Sequence, residues 1–346
     1  MSLVNVHTEW DPLEEIVVGT MEGARMPIVD RSLLATEFPD IDDPQQIPTG
    51  LYPAQVAEET EAELEALADL LTGLGVTVRR PGGRDHKSIV STPDWSTDGF
   101  YDYCPRDGFL AVGDAIIESP MVLRSRWLEG FAYKDLFLEY SDSGARWLSA
   151  PKPQLTDDMY EPTAPPGQRL RDLEPAFDAA NILRFGTDLL YQVSDSGNKR
   201  GARWLQSVLG PQYTVHPCEN LYTSTHIDST IVPLRPGLLL VNPARVTEDN
   251  FPDFLRGWDR IVCPELVDTG FVGDHPKSSV WIGMNFLVIA PGKAIVDKRQ
   301  TGLIRELERH GVEVIPSQLT HSRTLGGGFH CVTLDVRRAG ELATYR

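Results

Sequence analysis

One alternation recurs along the chain: an apolar run, a short turn containing Gly or Pro, and a second apolar run. It reads FLAVGDAIIES at 109–119, ILRFGTDLLYQV at 182–193, TIVPLRPGLLLV at 230–241 and FLVIAPGKAIVD at 286–297. Each predicts a β-hairpin, because the turn residues reverse the chain while the apolar flanks pair and become buried. A looser version, VNVHTEWDPLEEIVVG, opens the chain.

A second pattern follows most hairpins: an amphipathic segment, a Gly, and a short β-rich run ending near Pro. EETEAELEALADLLTGLGVTVRRP is the clearest copy, with Leu64, Leu67, Leu70 and Leu71 on one helical face and Gly75 ahead of the strand. RQTGLIRELERHGVEVIP repeats it, with Gly311 in the same place, and NKRGARWLQSVLGPQYTVHP and TEDNFPDFLRGWDRIVCP are degenerate copies. In the second unit the pattern blurs into the Pro- and Asp-rich stretch 141–176, where ARWLSAP still reads as a strand. Five strand-strand-helix-strand units predict a radial array. The terminal run HCVTLDVRR then has a place, since a closed ring needs a last strand to complete its first unit. The expected fold is α/β, a five-bladed α/β propeller with pseudo-fivefold symmetry, in one domain over 1–346 closed by the strand 331–338. A doubly wound α/β fold is the alternative, weakened by the hairpins that interrupt simple strand-helix alternation.

Composition narrows the function classes. Over 346 residues, 41% are hydrophobic and 24% charged, which suits a globular core. The formal charge of -18 argues against nucleic acid as a partner. No apolar run approaches a membrane span, and the first residues lack the pattern of a signal peptide, so a cytoplasmic protein is expected. The four cysteines are too few and too scattered for a disulfide framework or a zinc site. Cys104, Cys218 and Cys263, each beside a Pro, read as small packing residues. Cys331, in LGGGFHCVTLDVRR, stands apart.

What precedes each hairpin gives Cys331 its meaning. Asp107 stands before the second, Asp178 before the third, His226 and Asp228 before the fourth, Ser278 and Ser279 before the fifth, and Cys331 before the closing strand. Equivalent positions in a ring converge on one mouth, although each residue alone has an ordinary structural reading as a cap, turn former or ion-pair partner. In THID, the spacing of His226 and Asp228 places both on one face of a strand. A thiolate is the strongest nucleophile in the set. Carboxylates do not activate it, because like charge raises its pKa; they suit a cation. A planar guanidinium can be gripped by two carboxylates while the thiolate faces its central carbon. Attack on a guanidino group, with His226 moving the proton, is the expected chemistry.

With CPRDGFLAVGDAIIESPM, PAFDAAN, THID, VNPAR, PKSSVWIGMN and LGGGFHCVTLDVRR, the chain resembles the amidinotransferase family from about Val4 to its C-terminus. The likeness is greatest to the members that act on inosamine phosphates in streptomycin-type pathways, and it extends to the glycine amidinotransferases. The resemblance implies the pentein propeller and amidino transfer from L-arginine with no cofactor and no metal. It makes Cys331 the nucleophile, His226 the general acid and base, and Asp178 the residue orienting His226. It makes Asp107 and Asp228 the guanidinium carboxylates, and Arg245, Ser278 and Ser279 the holders of arginine's α-carboxylate and α-amino end. It also implies a homodimer.

Thr225, Asn181 and Val332 depart from the glycine enzymes' pattern of Met, Asp and an aromatic residue, which favours an acceptor other than glycine. A hydrolase giving citrulline uses the same parts, and a non-catalytic binding protein on this fold is a further alternative. Arg25, Arg31, Lys199 and Arg203 are open candidates for an acceptor phosphate. Arg124 and Arg126 are equally open for either substrate. The segments 21–50 and 217–225 are candidate lids.

Overall fold

The computed structural model describes residues 2–41 and 43–346. All four predicted hairpins form: Phe109–Val112 with Ala115–Glu118, Ile182–Phe185 with Asp188–Gln192, Ile231–Arg235 with Leu238–Val241, and Leu287–Ala290 with Lys293–Asp297. In each, the second strand pairs in parallel on its other side with a third strand: Arg146–Ser149, Thr214–Cys218, Asp259–Val262 and Glu313–Ser317 in turn. Four three-stranded sheets of one topology result, and the ARWLSAP strand is among them.

The fifth sheet is built across the chain ends. Leu13–Val18 pairs in parallel with Thr77–Arg79 and antiparallel with the C-terminal Thr333–Arg338. The antiparallel partner of Leu13–Val18 is therefore the last strand, as HCVTLDVRR suggested, and the opening hairpin expected in VNVHTEWDPLEEIVVG does not form. The residues before Leu13 instead make single bridges to three different sheets, Asn5 to Arg337, Val6 to Gly113 and Thr8 to Phe185. A segment that reaches three sheets in turn has no neighbour with which to build a hairpin.

The connecting helices follow the apolar periodicity. Ala54–Gly73 buries Val56, Leu64, Leu67 and Leu71, while Leu70 is only half-buried, at the edge of that face. Gly75 and Gly311 both adopt positive φ where their helices hand over to strands. Lys199–Leu209 and Thr301–Arg309 serve the third and fifth units. The second unit has a helix that the sequence reading missed, Lys134–Asp142, which buries Phe137 and Tyr140 at i and i+3. About two and a half turns of mixed polarity carry too weak a period to stand out. The fourth unit keeps only the single turn Asp253–Leu255 where a degenerate helical copy was expected. Among the described residues no helix is long and apolar enough to cross a membrane.

Not all of the interior is apolar. Arg184 is 1% exposed and donates to Glu9 at 2.7 and 2.8 Å and to Asp335 at 2.9 Å. Arg106 and Arg338 close on the same Asp335 at 2.6 and 2.7 Å. These charges come from the N-terminal segment, the second and third units and the closing strand, so the network ties the elements that carry the site to one another.

Candidate active site

The hairpins begin with short turns, and these turns hold the chemistry. Asp107 lies in the single-turn helix Pro105–Gly108. Asp178 precedes the turn Ala179–Asn181. Ser279 caps Val280–Met284, its Oγ accepting from the Trp281 N–H at 3.3 Å. His226 and Asp228 do not share a strand face as their spacing suggested. They sit in an irregular turn ahead of Ile231, with His226 at φ 51°. That left-handed backbone is unusual for a residue with a Cβ.

A cavity of about 400 Å³ brings the predicted set together: Asp107, His226, Asp228, Arg245, Ser278, Ser279 and Cys331 line it. Asp178 stands behind His226, its Oδ2 3.0 Å from Nε2, while its Oδ1 accepts from the Val122 N–H at 3.2 Å. The other imidazole nitrogen lies 3.6 Å from Asp107 Oδ1. Burial works against a charge on His226, but Asp107 and Asp178 outweigh it and raise its pKa well above the ordinary value. The ring is held as an imidazolium.

Cys331 Sγ is 3.1 Å from Asp228 Oδ2 and accepts from Asn285 Nδ2 at 3.0 Å. Asn285 Oδ1 accepts from the Cys331 N–H, also at 3.0 Å, so one side chain grips both ends of the residue. Contact with the Cys104 thiol, burial and the Asp228 charge push the Cys331 pKa well up, which favours the thiol over the thiolate. Asp228 itself is buried, but the His330 imidazole at 3.1 Å brings its pKa down to about 2. His330 Nε2 continues to Glu9 at 3.4 Å, joining the site to the buried charge network.

Asp107 is polarised by its two sides. Oδ2 accepts from Arg126 at 2.7 Å, and Arg126 is gripped in turn by both oxygens of Glu129. Burial raises the Glu129 carboxyl to about 8 despite that contact, and it also raises Asp107. Asp107 Oδ1 is buried without a hydrogen-bond partner among the described residues. A buried acceptor facing a polar cavity is a waiting place for a donor.

The three glycines before Cys331 have separate causes. Gly326 ends the turn Ser322–Leu325 at φ 84°. A Cβ on Gly327 would lie 2.6 Å from Cys104 Sγ, and one on Gly328 would lie 2.5 Å from the Asn285 carbonyl oxygen. The loop is thus pressed against Cys104 and Asn285, which hold Cys331 at the cavity wall.

Several open candidates lie elsewhere. Arg25 pairs with Asp98, Arg31 bonds the Tyr160 carbonyl, Lys199 pairs with Glu219 and Arg203 with Asp172. Arg124 is spent on Leu155 and Asp157, and Arg126 stands behind Asp107. The sequence reading missed Lys277 and Arg323, which do line the cavity, as well as Asn285 and His330. Proximity to PKSS and GGGFHC was the only signal for them. Both candidate lid segments contribute wall residues: Thr36, Glu37 and Pro39 from one, Tyr222 and Thr225 from the other. Tyr222 stacks on the Arg245 guanidinium with the cation 3.6 Å from the ring centroid.

No family model matches the chain. It is 71% identical over 347 residues to "Inosamine-phosphate amidinotransferase 1" of Streptomyces glaucescens, covering 100% of both. The solved inosamine-phosphate amidinotransferase of Streptomyces griseus superposes with a TM-score of 0.99 at 68% identity, over 100% of this chain and 99% of that one. A dimethylarginine dimethylaminohydrolase, DDAH of Pseudomonas aeruginosa, shares the fold at a TM-score of 0.57 and 15% identity, covering 93% and 98%. The fold is α/β of the pentein type, and by its full-length identity to named members the chain belongs to the amidinotransferase family.

Proposed function

We propose that the protein transfers the amidino group of L-arginine to an amine of an inosamine phosphate, through an amidino-cysteine on Cys331, and releases ornithine. The observation that carries the reading is a buried thiol sharing one cavity with an imidazolium already held by Asp107 and Asp178. The full-length relative's name supplies the acceptor class.

The guanidinium lies between Asp228 and the unpartnered Oδ1 of Asp107, which supplies the bidentate grip such a group needs. Its charge beside Cys331 offsets what raises the thiol's pKa, and the thiol gives its proton to water as arginine enters. The sulfur lone pair forms a bond to the central carbon. The bond from that carbon to the substituted nitrogen breaks, and the pair left on that nitrogen takes the proton of His226, so ornithine leaves as a neutral amine. Neutral His226 then accepts a proton from the incoming amine, which forms the new carbon–nitrogen bond while the carbon–sulfur bond breaks. Asp178 holds the ring throughout. Arg245, together with Ser278 and Ser279, holds the amino-acid end of arginine; its Nη1 donates to Thr230 Oγ1 at 3.0 Å, and it has no carboxylate partner among the described residues.

The finer architecture is part of the proposal: one domain over 1–346, with five units around a pseudo-fivefold axis closed by 331–338. Five sheets of one strand order, one of them joining the chain ends, support it. A homodimer and a cytoplasmic place in aminoglycoside biosynthesis complete the reading.

Incubation with arginine alone is expected to give one equivalent of ornithine and a mass adduct on Cys331, and addition of inosamine phosphate to discharge it. Citrulline as the main product, or ornithine release by Cys331→Ala, would overturn the assignment.

A further inference from the structure

If the acceptor carries a phosphate, as the reading above holds, the cavity must meet a dianion somewhere away from Asp107 and Asp228. Besides the imidazolium, three cations line the described cavity wall: Arg245, Lys277 and Arg323. Arg245 belongs to the fourth unit and is fixed against Tyr222, Ser229 and Thr230. Lys277 and Arg323 are neighbours. The Lys277 and Ser278 N–H groups both donate to the Arg323 carbonyl, at 2.9 and 3.3 Å, and Arg323 Nε donates back to the Ser278 carbonyl at 3.2 Å.

We infer that Lys277 and Arg323 together form the subsite for the acceptor's phosphate. Both cations are fixed by packing. The Lys277 side chain is 3% exposed, with its ammonium 4.0 Å from the Phe100 ring centroid and 5.2 Å from that of Tyr101. Arg323 lies over Phe271 at 5.0 Å. Their present partners differ: Glu37 is largely buried with Lys277, at 18% side-chain exposure, and only the partner of Arg323 is loose. Lys277 meets Glu37 at 3.1 Å, in the wall segment that follows Arg31–Thr36, and Arg323 meets Asp268, whose side chain is 59% exposed. An exposed carboxylate contributes little as a structural partner and gains water when it leaves. A phosphate brings more charge and three acceptor oxygens, enough to bridge an ammonium and a planar fork at once. A Cβ on Gly326 would stand 3.3 Å from Lys277 Cβ, so the patch abuts the loop that carries Cys331. An aminocyclitol anchored there presents its ring to the same cavity as the sulfur.

The test compares transfer to an inosamine phosphate with transfer to the same inosamine without phosphate, alongside arginine–ornithine exchange, in which ornithine is the acceptor and no phosphate is involved. Lys277→Gln and Arg323→Gln are each expected to lower kcat/KM for the phosphorylated acceptor roughly ten- to a hundredfold, the range of a lost charged hydrogen bond. Exchange and use of the unphosphorylated acceptor stay unchanged, and Lys277→Arg recovers part of the loss. Equal losses with both acceptors, or a selective loss in Arg245→Gln alone, overturn the subsite. Should the packed Lys277→Gln fail to fold, Arg323→Gln decides by the same comparison. A native enzyme indifferent to the phosphate would overturn the acceptor assignment itself, whereas native preference with unaltered variants would overturn only the subsite.

Discussion

The sulfur of Cys331 lies 3.1 Å from Asp228 Oδ2, so the nucleophile of an acidic cavity rests against a carboxylate whose charge joins the Cys104 contact and burial in raising its pKa. The pair makes reactivity depend on the cation that arrives between them. Asp228→Asn removes one of the charges raising the thiol's pKa, so the free protein should react faster with iodoacetamide near neutral pH. Arginine turnover should nonetheless fall at least about a hundredfold, because a guanidinium contact is lost with it. Slower alkylation in the variant would show that Asp228 does not control the thiol.

Asp228 also predicts a pH dependence of stability. Its pKa in the folded state is depressed to about 2 by the His330 contact against the effect of burial. A depressed carboxyl stabilises the fold above its unfolded pKa of about 4, and that stability is lost as pH falls toward 2. Acid titration followed by circular dichroism should show Asp228→Asn less acid-sensitive than the native chain across this window. Equal sensitivity would mean that the carboxyl titrates alike in both states.

His226 gives the opposite sign. Two carboxylates raise its pKa well above the ordinary histidine value despite burial, so its acid form persists to higher pH than that of a free imidazole. Asp178→Asn withdraws one of them, and the alkaline limb of arginine–ornithine exchange should move to lower pH as the proton is lost earlier. A limb that stays in place while the overall rate drops would point to an orienting role without an electrostatic one.

Arg184 satisfies Glu9 and Asp335 in the interior, and Glu9 in turn reaches His330 beside the site. Arg184→Met leaves two buried carboxylates short of a partner and should cost about 3–5 kcal/mol of stability. Denaturant unfolding measures it. A loss below about 1 kcal/mol would mean that Arg106 and Arg338 compensate.

At Gly328 the limit is steric. An added methyl would stand 2.5 Å from the Asn285 oxygen and 2.8 Å from its Cβ, so Gly328→Ala must displace the residue that grips Cys331. Ornithine formation should fall at least about tenfold with a lowered melting temperature, since backbone is the obstacle and cannot rotate away. Retained activity would mean that the Asn285 grip is dispensable.

Four of the five expected hairpins, their third strands and the strand at the C-terminus were legible because local periodicity and turn residues decide them; Phe109–Val112 with Ala115–Glu118 needs nothing distant to be recognised. The repeat then carried Asp107, Asp178, His226, Asp228 and Cys331 into one expected cluster, since position within a unit translates into position in space. Only the tertiary structure decided how those groups are held. The turn that lifts His226 to φ 51°, the grip of Asn285 on Cys331 and the passage of Glu9 to His330 join residues 46 to 321 positions apart or depend on a backbone angle no pattern encodes. Lys277 and Arg323 were invisible for the same reason: a cation's role follows from which wall it packs into. Periodicity records which face of an element is buried, and it carries no information on what stands opposite.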